Sequence, residues 1–388
     1  MIKLYSYIHK FQKWLPFFLL YIPFKLFSVI KDKKSNKEIL LFGTGTGLYH
    51  DNTKYLFEYI LNNKNYKQLF EVYWIATTKE TYIALQEKGI PVIYRNSFLC
   101  AKLAAKANAY FLTSGLLDVF WFINKKTLLI QLWHGTPIKR IGFDTAVDTQ
   151  RLLKAKKNFG NNYQFERYDY LIIEDNKYKS IFQSAFQISE SKILGLGQAR
   201  NIIFSKDSKY QSNTIRERLA LQEFKHIVLY APTFRDEKID NMVLLRSLLS
   251  SETIDYLKSS NICLLVKLHP FVAANVEIKS FLETFKYSVK HIINIVDIQE
   301  LLIISDAVIT DISSLALDYL QYSSNLYRFF PDEEQYISIR GDFYESTYSE
   351  LIKNSKKIES LEQIVFDTYN FDEYLKASVC QDILELIK

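Results

Sequence analysis

Two histidines in this chain each follow an apolar run and precede turn-forming residues. Gln131-Leu-Trp-His-Gly-Thr-Pro137 closes one run and Leu264-Leu-Val-Lys-Leu-His-Pro270 another. An imidazole titrates near neutrality, so at the end of a buried strand it can take the proton of a hydroxyl. Gly135 lets a ligand come close to the backbone. Lys139 and Arg140, in Ile138-Lys-Arg-Ile-Gly-Phe-Asp144, put positive charge within reach of a phosphate. Gly135, Thr136, Lys139 and Arg140 are the expected acceptor or phosphate contacts beside His134. Taken alone, His134 could be a capped core histidine; its strand-end place and basic neighbours favour chemistry. Pro270 fixes the loop after His269.

Tyr230-Ala-Pro-Thr-Phe-Arg-Asp236 has the same layout, a strand and then a loop with Thr233 and Arg235. Arginine can hold phosphate oxygens with two parallel hydrogen bonds; a surface pair of Arg235 with Asp236 is the plainer alternative. In Ile309-Thr-Asp-Ile-Ser-Ser-Leu-Ala-Leu-Asp318, a strand runs through a polar turn into a helix. Asp311, Ser313 and Ser314 can cap that helix, and its free N–H groups suit a diphosphate. Gly43-Thr-Gly-Thr-Gly47 follows a strand but lacks the dinucleotide-binding spacing. It reads as a tight strand-to-helix turn that could also touch acceptor. The sequence contains no D-x-D, no H-E-x-x-H and no cysteine pairing of zinc spacing, so neither metal nor cofactor is expected. His9, His50, His226 and His291 read as structural or surface residues.

Something must hold these groups in place. Short apolar runs alternate with longer amphipathic stretches: Glu38–Phe42, Val72–Ala76, Pro91–Tyr94, Ala109–Thr113, Thr127–Leu132 and Tyr170–Ile173, then His226–Tyr230, Asn261–Val266, His291–Ile293 and Ala307–Ile309. Helical spacing of leucines marks Asn241–Ser259, and Ile358–Lys388 also reads as helical. Strands alternating with helices predict parallel sheets. The expected architecture is α/β, with two Rossmann-like domains, residues 35–200 and 201–388, facing a cleft. The polar stretch Asn201–Gln222 is the expected hinge.

Residues 1–34 form a separate segment. Trp14 to Ile30 is aromatic and aliphatic, with lysines on both sides, Lys25 inside, and Pro16 and Pro23. At 17 residues it falls short of the roughly 20 a spanning helix needs, and no small-residue cleavage site follows. Bulky apolar residues between cations fit an interfacial membrane anchor; packing on the protein's own core is the alternative. The net charge of +6 suits an anionic partner such as a membrane surface, a nucleotide or a phosphate-rich polymer. No nucleic-acid-binding signature accompanies it. Three scattered cysteines, Cys100, Cys263 and Cys380, form no disulfide framework and point to a reducing cytoplasmic setting.

Trp133-His-Gly-Thr-Pro137, Ala231-Pro-Thr-Phe-Arg-Asp236, Lys267-Leu-His-Pro270, Thr310-Asp-Ile-Ser-Ser314, Phe330-Pro-Asp-Glu-Glu-Gln-Tyr336 and Arg340-Gly-Asp-Phe-Tyr344 occur in that order. The ordered set resembles the CDP-glycerol glycerophosphotransferase family of teichoic-acid primases, polymerases and capsule-forming relatives, from about Leu40 to Tyr344. The resemblance implies a GT-B fold, peripheral attachment at the cytoplasmic face of the membrane, and two essential histidines, here His134 and His269. It implies a CDP-polyol donor, glycerol phosphate foremost, bound by residues 201–388, and a polymer or lipid-linked acceptor that enters from residues 35–200. Thr233, Arg235, Lys267, Thr310, Asp311, Ser313, Ser314 and Asp318 are then the expected donor-binding residues. Ile202 stands where relatives often carry an acidic residue, and Ile312 where they often carry an aromatic. A sugar-nucleotide glycosyltransferase of GT-B fold and a non-catalytic polymer-binding protein are the other readings.

Overall fold

The computed structural model describes residues 19–30, 37–159, 164–204, 208–233, 235, 241–292, 296–340, 342–366 and 378–387. Among them the chain divides into two units. The first holds residues up to His134, Thr149–Arg200 and the C-terminal helix Val379–Glu385. The second holds Gly135–Asp148 and the described residues from Asn201 to Phe366. The expected boundary after residue 200 is one of four places where the chain changes unit; the others follow His134 and Asp148 and precede the last helix. Cys380, Ile383 and Leu384 of that helix are buried. Gly197, at φ +106°, accommodates Val379: a Cβ there would come within 2.9 Å of its side chain.

The first unit carries seven strands: β1 (Glu38–Phe42), β2 (Phe70–Ala76), β3 (Val92–Tyr94), β4 (Ala109–Leu112), β5 (Leu128–Gln131), β6 (Tyr170–Ile173) and β7 (Ile193–Gly195). All pair in parallel, in the order β3-β2-β1-β4-β5-β6-β7. Parallel strands covered on both faces read as continuous apolar runs, and every residue of β4 is buried. Phe42 and Phe111 stack at 4.6 Å across the β1–β4 pair, and Phe57 meets Phe42 edge-on at 5.4 Å. Strand order reverses between β1 and β4. Open α/β sheets form their binding crevice at such a point, beyond the carboxyl ends of the strands.

The second unit has six strands: β8 (His226–Tyr230), β9 (Ile262–Val266), β10 (Val289–His291), β11 (Ala307–Thr310), β12 (Leu326–Arg328) and β13 (Lys356–Lys357). They too are all parallel, in the order β10-β9-β8-β11-β12-β13, so the reversal lies between β8 and β11. Val228, Tyr230, Leu264, Val266 and Ile309 build the core with Leu245, Leu248 and Tyr327.

Several sequence expectations shift here. β10 ends at His291, where the strand was expected to begin; residue 293 lies outside the described residues. The helix expected over Asn241–Ser259 is two, Asn241–Leu248 and Ser251–Ser259. Ser250 breaks it by capping the second, its Oγ accepting from Thr253 N at 3.2 Å. The expected hinge stretch is largely helical, with a 3-10 turn at Ala199–Phe204 and a helix at Ser208–Arg218. Of Ile358–Lys388, the described part holds the 3-10 turn Leu361–Gln363 and the helix Val379–Glu385.

Candidate active site

In the first unit the loops after β1, β4 and β5 meet. The Gly43–Gly47 loop is pressed onto the β4 loop. A Cβ on Gly43 would lie 2.0 Å from Asp118 O, and one on Gly45 2.3 Å from Ser114 Oγ. Glycine is required there for close approach of two loops, which accounts for the cluster without a nucleotide. Gly45 N donates to Thr113 Oγ1 at 3.4 Å, and His50 Nε2 lies 2.6 Å from Thr46 Oγ1. Asp118 holds the β4 loop by accepting from Thr113 N, Ser114 N and Gly115 N at 2.9, 2.7 and 3.2 Å. Burial raises its carboxyl above the ordinary value against the pull of those amides.

His134 stands three residues beyond the end of β5. Trp133 turns the chain there through a left-handed conformation, φ +52°, which costs a non-glycine residue about 1–2 kcal/mol. Its indole lies 4.1 Å from the His134 ring and meets Phe186 edge-on at 4.7 Å. Buried Gln131 accepts from Trp133 N at 2.9 Å. The His134 side chain is exposed, yet its Nδ1 lies 2.9 Å from Thr113 O. A carbonyl only accepts, so Nδ1 carries the proton, and Nε2 of the neutral ring is left with a lone pair. The geometry thereby fixes the tautomer a general base needs.

Beneath this loop lies a buried polar group that local sequence patterns did not reveal. Arg200 Nη1 donates to Asp51 Oδ1 at 2.7 Å and to His134 O at 3.0 Å. Asn52 Nδ2 donates to Leu132 O and Trp133 O at 3.1 and 3.0 Å, and also bonds Gln198 Oε1. Burial pushes the Asp51 carboxyl up, but Arg200, His50, His134 and the Asn52 amide together hold it below the usual range.

In the second unit the β8 and β11 loops are tied across the reversal point. Thr233 donates to Asp311 through its amide at 3.0 Å and its hydroxyl at 2.6 Å. Arg235 pairs with Asp311 at 2.6 Å and bidentately with Asp332 at 2.8 and 3.0 Å. It lies over the Tyr336 and Phe330 rings, 4.5 and 5.3 Å from their centroids. Its side chain is only 1% exposed. Burial alone would weaken the guanidinium, but the two carboxylates outweigh it and raise its pKa. One guanidinium between two carboxylates has no net positive charge to offer a phosphate, so the expected bidentate phosphate grip is replaced by Asp332. The plainer partner, Asp236, lies outside the described residues.

Asp311 likewise does not cap the helix after it. Its carboxylate is taken by Thr233, Arg235 and Ile312 N. The helix is short, Leu315–Tyr319, and Ser314 at its start makes no side-chain cap bond. Thr310 Oγ1 donates to Ala231 O at 2.7 Å, and Asp318 accepts from Gln299 Nε2 at 3.0 Å; both are buried. Ser313, Ser314, Thr233 and Lys267 are half-buried and His269 is exposed. Burial lowers the Lys267 ammonium, with Asp297 opposing, and lowers the His269 imidazole. The polar side chains with accessible surface here are thus Lys267, His269, Ser313, Ser314 and Thr233.

Gly135–Asp148 also belongs to the second unit. Gly135 takes φ +138°, a conformation that favours glycine. Thr136 is buried. Thr347 Oγ1 donates to Pro137 O at 2.9 Å, and Lys139 bridges Phe343 in antiparallel fashion. Lys139 Nζ reaches Tyr336 Oη at 3.5 Å. Arg140 pairs loosely with Asp342 at 3.9 Å. Among the described residues, no group of three or more His, Cys, Asp or Glu could hold a metal ion.

A model of the family described as CDP-glycerol:poly(glycerophosphate) glycerophosphotransferase matches residues 24–373. The teichoic acid glycerol-phosphate transferase of Staphylococcus aureus (strain NCTC 8325 / PS 47) is 29% identical over 309 residues, covering 77% of this chain and 75% of that protein. The teichoic acid poly(glycerol phosphate) polymerase of Bacillus subtilis (strain 168) is 29% identical over 362 residues, covering 89% of this chain. This chain spans only 46% of that polymerase. A solved structure of the wall teichoic acid polymerase TagF superposes with a TM-score of 0.73 at 22% identity, covering 100% of this chain and 97% of that one. The fold is that of this GT-B-like α/β polymerase.

Proposed function

We propose that this chain, which belongs to the CDP-glycerol:poly(glycerophosphate) glycerophosphotransferase family, transfers glycerol phosphate from CDP-glycerol to a hydroxyl of a growing teichoic-acid-like polymer. The observation that carries the reading is the hydrogen bond from His134 Nδ1 to Thr113 O. It leaves Nε2 to take the acceptor hydroxyl's proton. The acceptor oxygen then bonds to the β-phosphorus, the bond from that phosphorus to the bridging oxygen breaks, and CMP leaves with the electron pair. Lys267, His269, Ser313 and Ser314 hold the diphosphate and the charge that develops on it. Phosphoryl transfer asks the protein mainly for positioning and electrostatic stabilisation. Incubating the purified protein with CDP-glycerol, CDP-ribitol and sugar nucleotides, with and without acceptor polymer, tests the reading. Acceptor-dependent CMP release from CDP-glycerol is expected; nucleotide release from a sugar donor alone overturns it.

Residues 19–29 form a helix whose two sides support attachment to an anionic membrane surface. Leu20 and Phe24 are buried, Phe24 lying 6.1 and 5.4 Å from Phe120 and Phe122. Ile22, Leu26 and Val29 are 65, 55 and 76% exposed at helical spacing. No described helix is long and apolar enough to cross a membrane. The apolar face lies flat in the headgroup region, with Lys25 toward the anionic surface. Ile22→Glu with Leu26→Glu is expected to abolish flotation with anionic vesicles while leaving melting unchanged. Equal flotation of the doubly substituted protein overturns the attachment.

A further inference from the structure

We infer that Asp51, Asn52 and Arg200 form a positioning set that aims the His134 imidazole. The inference rests on the reading of His134 as the general base. Three consecutive carbonyls, those of Leu132, Trp133 and His134, each receive a donor from a residue distant in sequence. Two come from one amide, Asn52 Nδ2, and the third from Arg200 Nη1. The members of the set also bond one another. Arg200 N donates to Asn52 Oδ1 at 3.0 Å, and Arg200 Nη1 reaches Asp51 Oδ1 at 2.7 Å.

The placement of these residues separates positioning from substrate contact. Asn52 is 0%, Arg200 5% and Asp51 9% exposed, so they act through the loop they hold. Asp51 and Asn52 open the helix Asp51–Asn62, which follows the β1 loop. Arg200 lies beyond β7, and the carbonyls lie beyond β5. Three strand ends are therefore joined at the residue that must face the acceptor. Two of the joined residues are in left-handed backbone conformations without being glycine, Asp51 at φ +68° and Trp133 at φ +52°. Such conformations persist only where their surroundings over-determine them, and they cluster at functional sites. Left to itself, the Trp133 turn would relax and carry His134 Nδ1 away from Thr113 O. A base misplaced by about 1 Å can lose a hundredfold in rate.

Lysine at position 200 keeps the charge but cannot serve Asp51 and the His134 carbonyl through one planar fork. The test measures single-turnover CMP release, donor affinity for CDP-glycerol and melting for Arg200→Lys and Asn52→Ala, each alone and combined with His134→Ala. Each single variant is expected to melt cooperatively, bind donor as the parent does, and release CMP about 10- to 100-fold more slowly. In the His134→Ala background neither substitution is expected to slow the reaction further. Near-parental rates in both folded single variants overturn the inference. So does an equal loss in both backgrounds, which would show that the residues act independently of the base. Loss of cooperative melting in both variants also overturns it, leaving a purely structural role. A normal rate in His134→Ala alone instead removes the base reading itself, and that single variant identifies this case.

Discussion

Arg200 in the first unit and Arg235 in the second are both buried, and both tie together loops that follow parallel strands. Their surroundings differ in one respect. Among the described residues Arg200 pairs with the carboxylate of Asp51 and spends a further donor on the carbonyl of His134. Arg235 meets two carboxylates, Asp311 and Asp332, and spends a further donor on Thr233 O. One arginine is directed at a residue that can do chemistry, whereas the other is consumed in locking two loops. An arginine at a strand end is therefore a poor guide to phosphate binding until its counter-ions are counted. The diphosphate of a donor would have to be met by the half-buried lysine and serines and by His269, not by Arg235.

The largest effect expected from this contrast is on Arg235. Replacing it with Met leaves Asp311 and Asp332 buried without their cation, a loss of about 3–5 kcal/mol. Arg235→Lys is expected to recover little, because one ammonium cannot match both carboxylates. Urea denaturation of the two variants measures this. If instead Arg235→Met melted normally and lost donor affinity, Arg235 would be a ligand and the distinction between the arginines would fall.

Catalysis should show the opposite pattern for His134. His134→Ala is expected to keep donor affinity and stability while losing about 10²- to 10⁴-fold in single-turnover rate. His269→Ala, in the donor unit, is expected to lose both rate and donor affinity. Calorimetry with CDP-glycerol beside rapid-quench rates separates the two, and matching profiles for both variants would erase the division of labour.

Acid should probe the two carboxylates beside His134 with opposite sign. Asp51 has a folded pKa below its unfolded value, so its contribution is present above the unfolded pKa, near 4, and is lost as pH falls through the folded one. Asp118 has a raised value, so it opposes folding as pH rises past 4 and ceases to do so in acid. Denaturant midpoints between pH 3 and 6 for the parent and Asp51→Asn test this. The variant should show a flatter loss of stability toward low pH. An unchanged acid limb would show that the Asp51–Arg200 pair contributes no linkage.

Much of this arrangement can be read from the chain, and part of the remainder fails for identifiable reasons. β1, β6 and β8 fall on their expected residues, because unbroken apolar runs are bounded there by polar or turn residues. β7, β12 and β13, of three, three and two residues, are not among the expected runs, although β3 and β10, each of three residues, overlap expected runs, so shortness alone does not hide a strand. Both histidines are visible as strand-end residues before Gly135 and Pro270. The Asp51–Arg200 pair is not visible, since 149 positions separate its members and no local pattern links them. Asp311 misled for the same reason. Its neighbours in sequence offer a helix to cap, while the topology brings Thr233 and Arg235 to its carboxylate first.

Ser314 gives a smaller effect. It is half-buried at the start of Leu315–Tyr319 and makes no cap bond, so its hydroxyl is a candidate to donate to the diphosphate. Ser314→Ala should weaken donor binding by about 1 kcal/mol, the net worth of one hydrogen bond, with little change in melting. Unchanged affinity by calorimetry would move the diphosphate away from this turn.

The smallest effect on stability is expected at Arg140, which completes the contrast among the arginines. Its side chain is 46% exposed, and its partner Asp342 is 78% exposed at 3.9 Å. Water screens such a pair, so Arg140→Ala should change stability by no more than about 0.5 kcal/mol. What the buried arginines lack, Arg140 has: a cationic end that solvent and an anionic substrate can reach. Its removal should therefore raise the KM for the polyanionic acceptor several-fold at low ionic strength. The difference should shrink as salt approaches and exceeds 0.15 M, where the screening length falls to about 8 Å. Steady-state kinetics across a salt series read both terms on a protein whose melting is unchanged. A stability loss above about 1.5 kcal/mol would place Arg140 with the structural arginines. A salt-independent KM would deny it a role in drawing the acceptor.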